Sequence, residues 1–216
     1  MPSSSSSAAA RVTRSTLLTL ALAAFGEGAE PPCFDFSQKI VDPLRPPIPR
    51  VEGRDNSTYG TYPNGIDWAS GRAVMAMPIA ALYQKLLDHR NVKDMKKTTL
   101  TTTVIERPGY LAFHHVDVVV RIRALFVKMK IAWTEAWAYS LVEGTPEAPR
   151  KIVVSYQKIG GARVIKHQCG SYVLQAIDES TTDLSLYEEI RADHRSAEDT
   201  RNMHAGILRN LRGQGQ

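Results

Sequence analysis

The chain has 216 residues, with 27 Lys+Arg against 22 Asp+Glu, 43% hydrophobic residues and 2 cysteines. This excludes a disordered chain, since the apolar fraction suffices for a core and the net charge is small, and it excludes a disulfide-scaffold miniprotein. The formal charge of +5 carries no message about a partner until it is assigned to segments.

Residues 1–26 read as an export signal. Met1 to Ala10 is rich in Ser and Ala, Arg11 and Arg14 supply positive charge, and Ser15 to Phe25 is an uncharged apolar run too short to span a bilayer. Ala24 and Gly26 are the small residues expected before a cleavage site. Removal of this segment takes two arginines and no acid, so the net charge falls from +5 to +3. With no basic block elsewhere, nucleic acid is not an expected partner. The expected location is periplasmic or secreted. Export leaves two readings of Cys33 and Cys169: a disulfide that pins the mature amino terminus to the sheet, or two unrelated thiols with Cys169 buried as a small apolar side chain.

Residues 27–66 carry Pro43, Pro46, Pro47, Pro49 and Pro63 with Gly53, Asp55, Asn56 and Ser57 among them, a stretch poor in donors and periodicity that reads as a linker or wrapping arm. Asn56-Ser57-Thr58 fits the glycosylation acceptor pattern, which has meaning only in a eukaryotic secretory host.

Regular structure is predicted from Asp67. Trp68 to Met77 reads as a strand, and Pro78 opens a helix where a missing donor costs little. Ile79, Leu82, Tyr83, Leu86 and Leu87 then form one apolar stripe. After a short piece, Val92 to Lys97, six strands follow: Thr98 to Ile105, Tyr110 to Ile122, Phe126 to Val142, Lys151 to Ile159, Val164 to Ile177 and Asp183 to Ala192. Their short connections imply an antiparallel meander. The last helix begins at Ser196, a cap with Asp199 three residues on, and Thr200, Met203, Ile207, Leu208 and Leu211 form its stripe. Gly213 ends it. One long helix covers part of so wide a sheet, and what it leaves uncovered is a cavity or a groove.

The stretch Ala73 to Asp88, with its strand, Pro78, helix and Asp, resembles the opening of the START-like or helix-grip proteins, the superfamily of polyketide cyclases and lipid-transfer domains. Gly170 to Asp178, Thr182 to Tyr187 and the final helix are similar to its closing strand pair and helix. The resemblance spans about residues 67–212. It implies an α+β helix-grip domain there, a seven-stranded antiparallel sheet wrapped around a long C-terminal helix, with an apolar or amphipathic ligand held between the two.

Chemistry-bearing motifs are few. HExxH, paired CxxC, GxxxxGK[ST] and GxSxG do not occur, so neither a metal nor a cofactor is expected. Alternation puts Glu135 beside Ile131, Trp133 and Trp137, where a carboxylate is desolvated and needs a partner. His114, on the apolar face with Val116 and Val118, is the candidate. Together they could form an acid/base pair, Glu135 could anchor a ligand headgroup, or a bulge near Ala136 could turn it outward. Trp133, Trp137, Tyr156, Tyr172 and Tyr187 are either core or the lining of a cavity, with Met203 and Ile207 as its opposite wall. Lys128 and Lys130 read as solvated charges, which leaves membrane contact unsupported. The leading reading is an exported carrier of a lipid-like molecule. The alternatives are a cyclase-, dehydrase- or hydrolase-like enzyme using Glu135 and His114, and an envelope interaction protein that engages a partner through its arm.

Overall fold

A computed structural model of the chain describes residues 31–124, 127–193 and 195–214, with side chains left undescribed at 122–128. The expected export signal, 1–26, lies outside the described residues, as does His194. Every element described below lies in one compact unit, Pro32–Gln216.

Eight strands form one antiparallel sheet: β1 (Asn56–Thr61), β2 (Asp67–Met75), β3 (Thr98–Val104), β4 (Ala112–Ala124), β5 (Val127–Gly144), β6 (Pro149–Gly161), β7 (Ile165–Ala176) and β8 (Thr182–Ala192). Their spatial order is β1-β2-β8-β7-β6-β5-β4-β3. The first long strand therefore pairs with the last, from Asp67↔Ile190 to Met75↔Thr182. Helix α1 (Ile79–Leu87) and a 3-10 turn (His89–Val92) carry the chain from β2 to the far edge, where β3 begins, and α2 (Ala197–Leu211) closes the fold. None of the helices among the described residues is long and apolar enough to cross a membrane.

The expectation of seven strands is corrected to eight. The additional strand, β1, comes from the proline-rich stretch and pairs along its whole length with β2, from Asn56↔Arg72 to Thr61↔Asp67. Its hairpin turns through Gly65 at φ +77°, held by Tyr62 N–H donating to Ile66 O at 2.8 Å. β1 is an edge strand with mostly exposed side chains, so it has no buried face to leave a hydrophobic alternation.

The inner face of the sheet packs against the helices. On α1, Ile79, Leu82 and Leu86 are buried. On α2 the capping box is complete, Asp199 N–H donating to Ser196 Oγ and Ser196 N–H to the Asp199 carboxylate, which satisfies end donors that would otherwise be unpaired. The buried stripe of α2 is Ala197, Thr200, His204, Ile207, Leu208 and Leu211. His204 thus stands inside, and Met203, expected there, is only partly buried. The helix lies over β2 with His204 above Gly71: a Cβ there would be 3.8 Å from His204 Cβ, ordinary van der Waals contact.

The outer face is covered as well. Phe34 and Phe36 stack at 5.7 Å, Phe36 meets the edge of Phe113 at 5.4 Å, and Ala136, Ala138 and Cys169 complete the cluster. The backbone of residues 34–48 is bonded to the sheet beneath it. Phe34 N–H donates to Gln157 Oε1 at 2.9 Å, Gln157 Nε2 donates back to Phe34 O at 3.0 Å, Leu44 N–H donates to Ser171 Oγ at 2.9 Å, and Arg72 Nη1 to Ile48 O at 2.7 Å. Cys33 and Cys169, 136 residues apart in sequence, are joined by a disulfide at the start of this segment.

Because Phe36 is buried at the centre of the cluster that seats the arm beside its disulfide, Phe36→Ala is expected to lower stability by about 3 kcal/mol. Urea denaturation measures it; a change within about 0.5 kcal/mol, as for a surface substitution, would show that the arm does not contribute to the fold.

Candidate functional site

The interior between sheet and α2 has two halves of different chemistry. At the α1 end it is apolar, with Met75, Leu82, Leu86, Ile152, Leu174 and Leu184 all fully buried. At the other end, toward the start of α2, which packs on β1, β2 and β8, it holds charge.

Glu135 is 0% exposed. Its Oε1 accepts from Lys93 Nζ at 2.6 Å and from Trp133 Nε1 at 2.8 Å, and its Oε2 accepts from Trp137 Nε1 at 2.8 Å. A buried carboxylate requires such compensation, because desolvation without a partner costs several kcal/mol. The pairing of β5 with β6 shifts between Thr134 and Glu135, while its register with β4 runs on unbroken. The bulge therefore leaves Glu135 on the inward face with both tryptophans. Lys93, which follows the 3-10 turn, is drawn inside as its counter-charge.

His114 is not the partner of Glu135. Its Nδ1 lies 3.0 Å from Nε2 of His89, whose ring packs edge-on to Trp137 at 4.8 Å. Burial, with His114 and Lys93 nearby, pushes His89 down to about 3, and burial lowers His114 as well. Both rings are neutral near pH 7, one donating and the other accepting.

A second buried carboxylate, Glu188, stands across the same space. Burial raises its pKa above the usual carboxylate range, against the pull of Arg195 and Lys93. Gln168 Nε2 donates to its Oε1 at 3.2 Å, and His204 Nε2 lies 4.0 Å from its Oε2. That leaves Glu188 Oε2, Gln168 Oε1 and both ring nitrogens of His204 buried with no hydrogen-bond partner among the described residues. Burial holds His204 at about 3, so its neutral ring offers one donor and one acceptor.

The aromatic candidates separate into two groups. Trp137 stacks on Tyr156 at 4.2 Å and meets Tyr172 edge-on at 5.9 Å, and all three are buried beside the polar end. Gly170 makes room for this stack, since a Cβ there would collide with Tyr156 Oη. Trp133 is partly buried next to Glu135, Ile207 of α2 is buried in the same apolar core as the stack, and Met203 is partly buried with Sδ 3.4 Å from Arg195 Nη2. Tyr187 belongs to the other face. Its hydroxyl donates to Glu189 Oε1 at 2.7 Å and lies 2.9 Å from Tyr62 Oη, beneath the arm.

Two hollows among the described residues lie away from these side chains: one of about 520 Å³ among Met95 to Thr99 and Arg121, and one of about 10 Å³ between Pro43–Pro47 and β8.

Lys93, Glu188, His204, Gln168 and His89 were not among the sequence candidates. Glu188 was within reach, because Leu184, Leu186, Glu188 and Ile190 alternate as Trp133, Glu135 and Trp137 do. His204 falls four residues after Thr200 and three before Ile207, on the buried stripe of α2.

No protein-family model matches the sequence, and no curated protein resembles it significantly. Solved structures do resemble the fold. The lipid transfer and protein localization domain of human StarD13 aligns over 74% of this chain and 89% of its own, with 8% identity and a TM-score of 0.50. A STAR-related lipid transfer protein from Xanthomonas axonopodis aligns over 73% of this chain and 97% of its own at 13% identity and TM-score 0.46. The ZhuI aromatase/cyclase from Streptomyces sp. R1128 aligns over 69% and 93% at 16% identity and TM-score 0.43. The fold, an open antiparallel sheet closed by a C-terminal helix, is similar to that of the human StarD13 domain.

The buried histidines make stability depend on pH. In the unfolded chain they take up protons near pH 6.5, whereas His89 and His204 in the fold resist until about 3. Stability is therefore complete above the unfolded value and falls as pH drops below it, by up to about 1.4 kcal/mol per pH unit for each histidine. Glu188, with its raised pKa, works in the opposite sense above the ordinary carboxylate value and offsets part of the loss. Urea midpoints should fall between about pH 7 and about pH 5, and His204→Gln should remove roughly one proton's share of the slope. A flat profile would contradict the burial of neutral rings.

Proposed function

We propose that this chain is an exported, noncatalytic protein that binds or carries an amphipathic small molecule between the sheet and α2. Its polar group lies between Glu188 and His204, and its apolar body lies against Trp137, Tyr156, Tyr172 and Ile207. The observation that carries this reading is the set of unpartnered polar atoms, Glu188 Oε2, Gln168 Oε1 and the two nitrogens of His204. Buried polar atoms of a finished core are paired. Glu188 Oε2 and His204 Nε2, 4.0 Å apart and both without partners, mark a place for a hydrogen-bonding group from outside the chain, next to an aromatic wall.

The chemistry of these atoms narrows the headgroup. Glu188 repels an anion and accepts a hydrogen bond, while neutral His204 can both donate and accept. A hydroxyl satisfies both, donating to Glu188 and accepting from His204. Because Glu188 and His204 are buried, entry requires α2 or the 3-10 turn to move away, a minor conformation that the ligand would stabilise. The lipid-transfer proteins of the same fold agree with an apolar cargo. Export is supported by the apolar run Ser15 to Phe25 and by the Cys33–Cys169 disulfide, a bond that persists in oxidising compartments.

The enzymatic alternative has less geometry behind it. Glu135 spends both oxygens on Lys93, Trp133 and Trp137, and His114 turns to His89. In the interaction alternative the arm would have to leave the bonds it makes to its own sheet.

Long-chain fatty alcohols and fatty acids of equal length discriminate, with binding read from tryptophan fluorescence. The alcohol should bind, the acid should bind about tenfold more weakly, and Glu188→Leu should lose that preference. No saturable binding of either probe, or equal affinities, would overturn the proposed site.

A further inference from the structure

On the arm-covered face, away from the interior just described, four chemically active side chains meet. Cys169 and His167 project from the same face of β7. Glu189 stands directly across the strand pair from Cys169. Cys33 reaches them from the arm and is joined to Cys169. The Nε2 atom of His167 is 3.4 Å from Cys169 Sγ, 3.7 Å from Cys33 Sγ and 3.4 Å from Glu189 Oε2. The ligand atoms of Cys33, His167 and Cys169 all lie within 4.8 Å of one another.

We propose that this cluster is a redox-gated binding site for a divalent cation of the zinc class, open when the disulfide is reduced, with Cys33, Cys169 and His167 as ligands and the Glu189 carboxylate beside the fourth position. The spacing carries the argument. Zinc bonds of about 2.3 Å to sulfur and about 2.0 Å to nitrogen, arranged tetrahedrally, set a sulfur-to-nitrogen edge of about 3.5 Å. The two observed sulfur-to-nitrogen distances, 3.4 and 3.7 Å, match that edge. Only the sulfur pair has to separate, to about 3.8 Å for a tetrahedron of these bonds, and Cys33 lies on the arm outside the sheet's ladder. Glu189 is itself held, its Oε1 accepting from the Tyr187 hydroxyl at 2.7 Å with Arg45 Nε 3.5 Å away.

The chemistry balances as follows. A dithiol reductant delivers two electrons and two protons; the sulfur–sulfur bond breaks, two thiols form, and the reductant leaves as its own disulfide. Binding of the cation displaces both thiol protons to solvent, and the imidazole ligates in its neutral form through Nε2 with its proton on Nδ1. Either state fastens the amino-terminal arm to β7, by a covalent bond in one and by the cation in the other. The site serves a different purpose from the interior and does not depend on it.

Cobalt reports on the site directly. The chain is reduced with a water-soluble phosphine, which becomes the phosphine oxide, and titrated with Co²⁺ in the absence of air. The reduced wild type should bind a single ion, with a thiolate-to-cobalt charge-transfer band and the strong visible bands of a tetrahedral site, and Zn²⁺ should abolish both. The oxidised protein should give only the spectrum of aqueous cobalt. Cys33→Ser and His167→Ala should lose the tetrahedral bands, and Glu189→Gln should weaken binding about tenfold. Reduced wild type that gives no tetrahedral spectrum, or a His167→Ala protein that keeps one unchanged, overturns the proposal. The comparison of oxidised with reduced wild type needs no substitution, so a variant that fails to fold does not protect it.

Discussion

Two carboxylates with no access to water, Glu135 and Glu188, govern how the inner half of this fold is put together. An ionised carboxylate in such a place requires donors within reach. Glu135 obtains three, and supplying them fixes a tryptophan on either side of it along β5 and draws Lys93 inward from the end of the 3-10 turn. The turn is thereby tied to the sheet, and His89 within it is pressed onto Trp137. Glu188 obtains one donor and faces a histidine it does not touch. The contrast between a saturated and an unsaturated carboxylate, a few side chains apart, is what sets the proposed site at Glu188 apart from the structural charge at Glu135.

The central strands of the sheet are buried on both sides, and the two coverings are made differently. The inner one is regular, with helices whose apolar stripes seat against alternate strand positions. The outer one is irregular chain, residues 34–48, whose backbone groups find partners in side chains such as Gln157, Ser171 and Arg72. Proline suits that role, since it removes donors that a strand-free segment could not otherwise satisfy. Beneath the arm lie polar residues that an uncovered sheet would show to water, among them Ser155, Ser171 and Ser185, all buried.

Alternation made the long strands legible, and it grouped Glu135 with Trp133 and Trp137, while a bulge near Ala136 that turns Glu135 outward was equally compatible with the sequence. The capping residues Ser196 and Asp199 did the same for the start of α2. Three features escaped. β1 is an edge strand of Asn, Ser, Thr, Tyr and Gly without a buried face, and its proline-rich surroundings hid it. Tyr187 was grouped with the interior aromatics by residue type, although its parity with Leu186 and Glu188 places it on the opposite face. The partner of Glu135 was sought on the neighbouring strand, but it comes from Lys93, 42 residues away and beyond a connection whose path no local pattern specifies. Local periodicity thus states which way a side chain faces, while the identity of its neighbours depends on strand order and on loops.

The central claim is that the gap between Glu188 and His204 belongs to a ligand. An experimental electron-density map of the protein, purified from its own compartment without added ligand and taken to a resolution that shows ordered water, tests this most directly. The account predicts continuous non-protein density within hydrogen-bond distance of Glu188 Oε2 and His204 Nε2, extending toward Trp137 and Tyr156. A direct bond between Glu188 and His204, or an isolated water between them above a closed aromatic stack, would contradict it.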